Sequence, residues 1–119
     1  ALIIMGTTGE GATLRQSEKL DLFEKALEYA KGRITMIANT GSNDTQASIE
    51  LSLIARDMGY DGLLLVCPYY NKPTQRGLVA HFTAIANEVN IPIILSCSIV
   101  IIEDKNPLLS SGKFHMAIP

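Results

Sequence analysis

The sequence has little of what builds crosslinked, metal-bound or membrane-spanning proteins. It has two cysteines, Cys67 and Cys97, too few and too far apart for a disulfide framework or a zinc site. They read as reduced thiols of a cytoplasmic protein. The two histidines, His81 and His115, fall in separate segments, so no His/Cys cluster suits a metal, and no cofactor is predicted. Both histidines read as solvated or structural. There is no excess of positive charge: Lys and Arg number 10 against 12 Asp and Glu, a net charge of -2. That balance argues against nucleic acid or an anionic membrane as a partner. No apolar run approaches the ~20 residues that cross a bilayer. No basic segment precedes the first apolar run, so no signal peptide is expected. Hydrophobic residues make up 47% and charged residues 18%, a composition that can build a core. The length of 119 residues suits one small domain.

Apolar runs at residues 2–5, 34–38, 62–66 and 91–95 recur about every 30 residues, the length of a βα step. They are short and apolar at successive positions, as in buried parallel strands. Helical patterns fill the gaps. Leu20, Phe23, Leu27 and Ala30 share one face, with Gly32 as the expected C-cap. Its start is signalled by Thr13 with Gln16, or by Glu18 at the third helical position. Ala47, Leu51, Ile54, Ala55 and Met58 form a second stripe, capped by Asn43 or Asp44 and stopped at Gly59. Leu78, Phe82, Ile85 and Val89 form a third, with Thr74 as a cap. Alternating strands and helices predict a parallel α/β sheet with right-handed crossovers.

In such folds the loops after the strand C-termini carry the chemistry. Three loops fit: residues 6–10 (Gly-Thr-Thr-Gly-Glu), 39–44 (Asn-Thr-Gly-Ser-Asn-Asp) and 67–73 (Cys-Pro-Tyr-Tyr-Asn-Lys-Pro). All three belong on one rim, which they furnish with hydroxyls, amides and phenols. The first pairs two hydroxyls with flanking glycines, so its backbone N–H groups can turn toward an anion. Read from its residues alone, the chain is equally an autonomous doubly wound module that binds a phosphate or carboxylate, or a barrel fragment without catalysis.

The run Pro68-Tyr-Tyr-Asn-Lys-Pro73, taken with Gly6-Thr-Thr-Gly-Glu10 and Thr40-Gly-Ser-Asn-Asp-Thr45, resembles the dihydrodipicolinate synthase family, within the N-acetylneuraminate lyase superfamily. The resemblance covers residues 1–95 and leaves residues 96–119 as a non-matching tail. It implies a TIM (β/α)8 barrel, here a partial one of about four βα units, strands two to five, out of a full barrel of ~250 residues. It also implies a class I aldolase-type lyase that condenses pyruvate with aspartate semialdehyde, in lysine and diaminopimelate biosynthesis. Pyruvate is held there as a Schiff base on a lysine.

By the same resemblance, Thr8, with Gly6, holds the pyruvate carboxylate. Thr7 is the middle of a proton relay between two tyrosines. Tyr70 is the relay tyrosine that reaches across a tight dimer, and Tyr69 and Asn43 lie at that interface. The intact family is a homo-oligomer, dimer or tetramer. Phenols titrate near pH ~10, so a hydrogen-bonded chain is what lets them move protons at neutral pH.

The chain also departs from the family pattern. Ser96 stands where the second relay tyrosine opens a Tyr-Asn-x-Pro-x-Arg motif, and the Schiff-base lysine position falls beyond Pro119. Lys72 lies in a rim loop, but nothing in the sequence desolvates it as a nucleophilic amine requires. The chain alone is therefore expected to be inactive. Asn39 replaces a common glycine and is expected to tolerate a positive φ there. Gln16 and Ala47 stand where lysine-inhibited relatives place a histidine and a glutamate. A half barrel with open edges is expected to self-associate.

Overall fold

The computed structural model describes residues 1–96 and the strand Phe114–Met116. Its elements are β1 (Leu2–Ile4), α1 (Gln16–Ala30), β2 (Met36–Asn39), α2 (Thr45–Met58), β3 (Gly62–Val66), α3 (Gln75–Val89), β4 (Ile93–Ser96) and β5 (Phe114–Met116). Two short 3₁₀ turns, Thr7–Gly9 and Gly11–Thr13, lie between β1 and α1. All five strands are parallel and follow one another in the sheet as β1-β2-β3-β4-β5. Among the described residues this order has no reversal, and so no topological switch point of the kind a doubly wound module uses. The sequential order is that of a barrel wall. The fifth strand was not foreseen: the apolar run at residues 98–102, which by its sequence reads as an extension or a strand, lies outside the described residues, whereas Phe114–Met116 pairs with β4.

Each helix forms where the apolar spacing placed it, and its ends are fixed by named groups. At α1 the Glu18 carboxylate accepts the Arg15 N–H at 2.8 Å. Glu18, not Gln16, therefore supplies the capping contact, while the Thr13 hydroxyl donates back to the Glu10 carbonyl at 2.8 Å. Asp44 caps α2 by accepting the Ala47 N–H at 3.0 Å, and Thr74 caps α3 by accepting the Gly77 N–H at 3.2 Å. Gly59 stops α2 with φ 98°. The cap of α1 is Lys31, with φ 47°, rather than Gly32, which follows at φ 69°. The Arg33 N–H and Nε both reach the Ala30 carbonyl, so the turn closes one residue earlier than the glycine suggested.

The three helices pack on one face of the sheet. Met36, Ala38, Leu63, Leu65, Ile93 and Leu95 point into the same core as Phe23, Leu51, Ala55, Phe82, Ile85 and Val89. Alternation along the strands puts Ile3, Ile37, Leu64 and Ile94 on the opposite face, outside that core. This is the side that faces the interior when a barrel closes. Ile3 is 46% exposed, as is Leu2 on the same edge strand, so β1 offers an open apolar edge. The buried face of α2 differs from the expected stripe: Ala47 is exposed, and Ser48 and Ser52 are buried beside Leu51 and Ala55. Their hydroxyls have partners in the loop above.

Candidate functional site

β1 ends at a buried residue in an unusual conformation. Met5 has φ 61°, in the left-handed region, which turns the chain out of the sheet toward Gly6. The 3₁₀ turn that follows is closed by the Gly9 N–H on the Gly6 carbonyl at 2.9 Å and the Glu10 N–H on the Thr7 carbonyl at 3.0 Å. Such a turn leaves its first N–H groups, those of Thr7 and Thr8, outside its own ladder. Gly11 then passes so close to Met5 that a Cβ there would lie 2.5 Å from the Met5 carbonyl oxygen. The glycine is needed for this close approach; its φ is not positive.

The loop after β2 is fastened from below. Thr40 is 2% exposed, and its Oγ1 lies 2.7 Å from the Ser52 hydroxyl, while its N–H reaches the Leu64 carbonyl at 3.1 Å. The Ser42 N–H donates to Ser48 Oγ at 3.0 Å, and the two hydroxyls are also 3.0 Å apart. Thr45 shares a 2.8 Å hydrogen bond with His81 Nδ1, tying α2 to α3. His81 is 7% exposed, and burial pulls its pKa below the usual value, against a weaker upward pull from Asp44. It is thus the structural histidine, not the solvated one, of the two readings. Asn39 is strand backbone and is absent from the positive-φ residues, contrary to expectation. The reason is that its backbone continues the ladder, paired with Leu64 of β3, while its side chain Nδ2 donates to the Met5 carbonyl at 2.7 Å.

The loop after β3 carries two left-handed residues, Tyr70 at φ 68° and Lys72 at φ 44°. Asn71 Nδ2 donates to the Asn43 carbonyl at 3.0 Å, which joins this loop to the one after β2. Tyr69 is 49% exposed and Tyr70 is 94% exposed.

The three loops enclose a basin of about 720 Å³ at the C-terminal ends of β1 to β4. Of the residues singled out by sequence, Gly6, Thr7 and Tyr69 line it, together with Asn39, Thr40, Ser42 and Ser96. Gln16 and Ala47 also line it. Thr8 is exposed beside it and is not among its walls. Tyr70 projects into solvent, Asn43 sits in the loop–loop contact, and Lys72 is exposed outside the basin. Among the described residues, no group of His, Cys, Asp and Glu could hold a metal. No described helix is long and apolar enough to cross a membrane.

Sequence reasoning missed the anchors under these loops. Ser48 and Ser52 stand one helical turn apart in the buried stripe of α2, and that polar pair was the available signal.

Sequential parallel strands, helices on one face and rim loops around one basin define a section of a (β/α)8 barrel, with the basin at the strand C-termini. The Dihydrodipicolinate synthetase family matches residues 1–97, and the chain belongs to that family. It is 57% identical over 95 residues to 4-hydroxy-tetrahydrodipicolinate synthase of Macrococcus caseolyticus, covering 80% of this chain and 32% of that protein. The chloride-inhibited dihydrodipicolinate synthase of Acinetobacter baumannii, solved in complex with pyruvate, superposes with TM-score 0.76 at 48% identity. That match covers 78% of this chain and 32% of the other. CdNal from Clostridium difficile, solved in complex with mannosamine, superposes with TM-score 0.89 at 27% identity. It covers 97% of this chain and 42% of its own. The chain thus spans about a third of the length of the curated relatives it matches.

Proposed function

We propose that residues 1–95 are the rim-bearing section of a Schiff-base lyase that condenses pyruvate with aspartate semialdehyde, and that residues 96–119 are a C-terminal tail that does not match that family, although its strand Phe114–Met116 pairs with β4. The carrying observation is the convergence of Gly6, Thr7 and Tyr69 on one basin with the Asn39 and Thr40 loop. In this reading the turn at Thr7 and Thr8 holds the keto acid's carboxylate with N–H and hydroxyl donors, as suits an anion at a turn of free amides. Thr7 passes a proton along a hydroxyl chain. Tyr70, exposed on its loop, serves the basin of a second subunit in a cytoplasmic dimer or tetramer, with Tyr69 and Asn43 at the same contact. The nucleophilic lysine comes from outside this chain. Lys72 is exposed and outside the basin, so it is not placed to meet a substrate held there.

Borohydride reduction in the presence of pyruvate tests this. The 119-residue chain alone gives no adduct, and mixing it with the C-terminal segment of a relative gives an adduct on that segment's lysine. A pyruvate adduct on Lys72, or none anywhere in the mixture, overturns the reading. Gln16 and Ala47, which line the basin, offer a free lysine neither an imidazole nor a carboxylate. The reconstituted enzyme is therefore expected to keep its activity in a lysine titration; strong inhibition counts against this reading of Gln16 and Ala47.

A further inference from the structure

We infer that Asn39 is a positioning residue that fixes the Gly6 to Gly11 loop through the Met5 carbonyl. This rests on the lyase reading only for its consequence at pyruvate. β1 leaves the sheet after Ile4, which is paired with Ala38, so the next pair across the strands is Met5 and Asn39. Met5 is left-handed there and cannot continue the ladder. The Asn39 carboxamide supplies the missing rung, with Nδ2 to the Met5 carbonyl at 2.7 Å. A carbonyl can only accept, so the orientation of the amide is fixed, with Nδ2 toward Met5.

The same carbonyl bears on Gly11, where any Cβ would lie 2.5 Å away. Both ends of the loop, the exit at Met5 and the return at Gly11, therefore register on one oxygen held by one side chain. Between them stand Thr7 and Thr8.

The energetic pattern separates this role from plain stabilisation. Asn39 Oδ1 is buried without a partner among the described residues. A gained hydrogen bond and a stranded buried acceptor are of similar size and opposite sign, so the side chain adds little net stability. What it supplies is a defined geometry at Met5.

The test uses the 119-residue chain and its Asn39→Ala and Asn39→Asp variants, with amide hydrogen exchange read residue by residue. In Asn39→Ala the Gly9 and Glu10 amides exchange roughly tenfold faster, the loss of about one hydrogen bond. Exchange at Leu63 and Leu65 and the urea midpoint stay as in the parent. In Asn39→Asp the carboxylate has no hydrogen to donate, so the loop is as open as in the alanine variant at neutral pH. As pH falls, this carboxyl, held by burial and the facing carbonyl above the free carboxylate value of ~4, regains an O–H for the Met5 carbonyl and loop protection returns, after correction for intrinsic rates. The alanine variant shows no such return. Unchanged loop exchange in Asn39→Ala overturns the inference. So does a loosening that spreads evenly through the strands with a matching fall in the urea midpoint. Pyruvate perturbs the Thr7 and Thr8 amides of the parent chain and does so more weakly in Asn39→Ala. A parent chain indifferent to pyruvate overturns the lyase reading and leaves the latch to be judged on exchange.

Discussion

Gly41→Ala is expected to abolish cooperative folding. A Cβ at this position would lie 2.4 Å from the Val66 nitrogen, 2.9 Å from Leu65 Cα and 3.1 Å from the Leu65 carbonyl carbon. All three are backbone atoms of β3, which is paired on both sides, so no side-chain rotation can relieve the clash. Nor can the loop slide away. Thr40 is tied to Leu64 and Ser52, and Ser42 is tied to Ser48. Overpacking a core costs ~1–3 kcal/mol where side chains can adjust, and more where they cannot. Small domains hold only ~5–15 kcal/mol in total. Gly9→Ala is the control: a Cβ there meets nothing within 4 Å and Gly9 lacks a positive φ, so its effect should stay within ~0.5 kcal/mol. Urea unfolding followed by circular dichroism compares the two. A Gly41→Ala chain that unfolds at the midpoint of Gly9→Ala refutes the argument.

Much of the framework was legible because it rests on local rules. The apolar faces of α1 and α3 were visible as 3.6-residue periodicity, and Phe23, Leu78, Phe82, Ile85 and Val89 are all buried. The caps at Asp44 and Thr74 and the stop at Gly59 follow from short-range hydrogen bonding and backbone freedom, which a sequence displays directly. The alternation of strands and helices implied a parallel sheet. What failed depended on contacts between distant segments. Periodicity assigned Ala47 to the core by its apolarity, yet Ser48 and Ser52 are buried because Ser42 and Thr40 sit above them with matching hydroxyls. Lys31, not the glycine beside it, takes the left-handed cap of α1 with its N–H on the Leu27 carbonyl, a choice no propensity scale encodes. Strand β5 had no signal because its three residues follow a segment without βα spacing.

The site was legible in its parts and illegible in its joints. Glycines and paired hydroxyls marked residues 6–10 as a loop able to meet an anion, and the Tyr-Tyr-Asn-Lys-Pro run marked another. Their arrival on one rim follows from parallel strands, which deliver every C-terminal loop to the same end of the sheet. Asn39 could be seen only as a residue tolerant of a turn. Its contact with Met5 joins positions 34 residues apart and exists only once β1 and β2 are in register. Gly41 has the same character: it looked like one more loop glycine, and its necessity comes from β3 lying directly beneath it.

Phe23→Ala is expected to cost ~3–5 kcal/mol, the range for deleting a buried aromatic ring. Phe23 is a fully buried residue of α1, with its ring centroid 5.0 Å from that of Tyr60 at an interplanar angle of 57°. The Tyr60 hydroxyl donates to the Phe23 carbonyl at 3.1 Å. That bond runs to backbone, so it survives the substitution, and the loss is one of packing. Tyr60→Phe does the opposite: it keeps the ring and removes the bond, at a cost of ~1 kcal/mol. The two residues touch, so the double variant should depart from additivity.

Burial also pushes the Tyr60 phenol up to about 12. A tyrosine whose folded pKa lies above its unfolded value, ~10, stabilises the fold fully below that pH. The contribution drains away as pH rises from there through the folded value. Alkaline destabilisation is therefore expected to set in above pH ~10 in the parent chain and to be weaker in Tyr60→Phe, which has no phenol at this position to ionise. In Phe23→Ala the cavity admits water to the phenol, so its pKa moves back toward the ordinary value. Urea midpoints measured against pH, with tyrosinate absorbance recorded in parallel, check both halves. A Phe23→Ala chain as stable as Tyr60→Phe, or a parent and Tyr60→Phe with superimposable alkaline profiles, would show that this contact is not where the stability of the α1 side of the sheet resides.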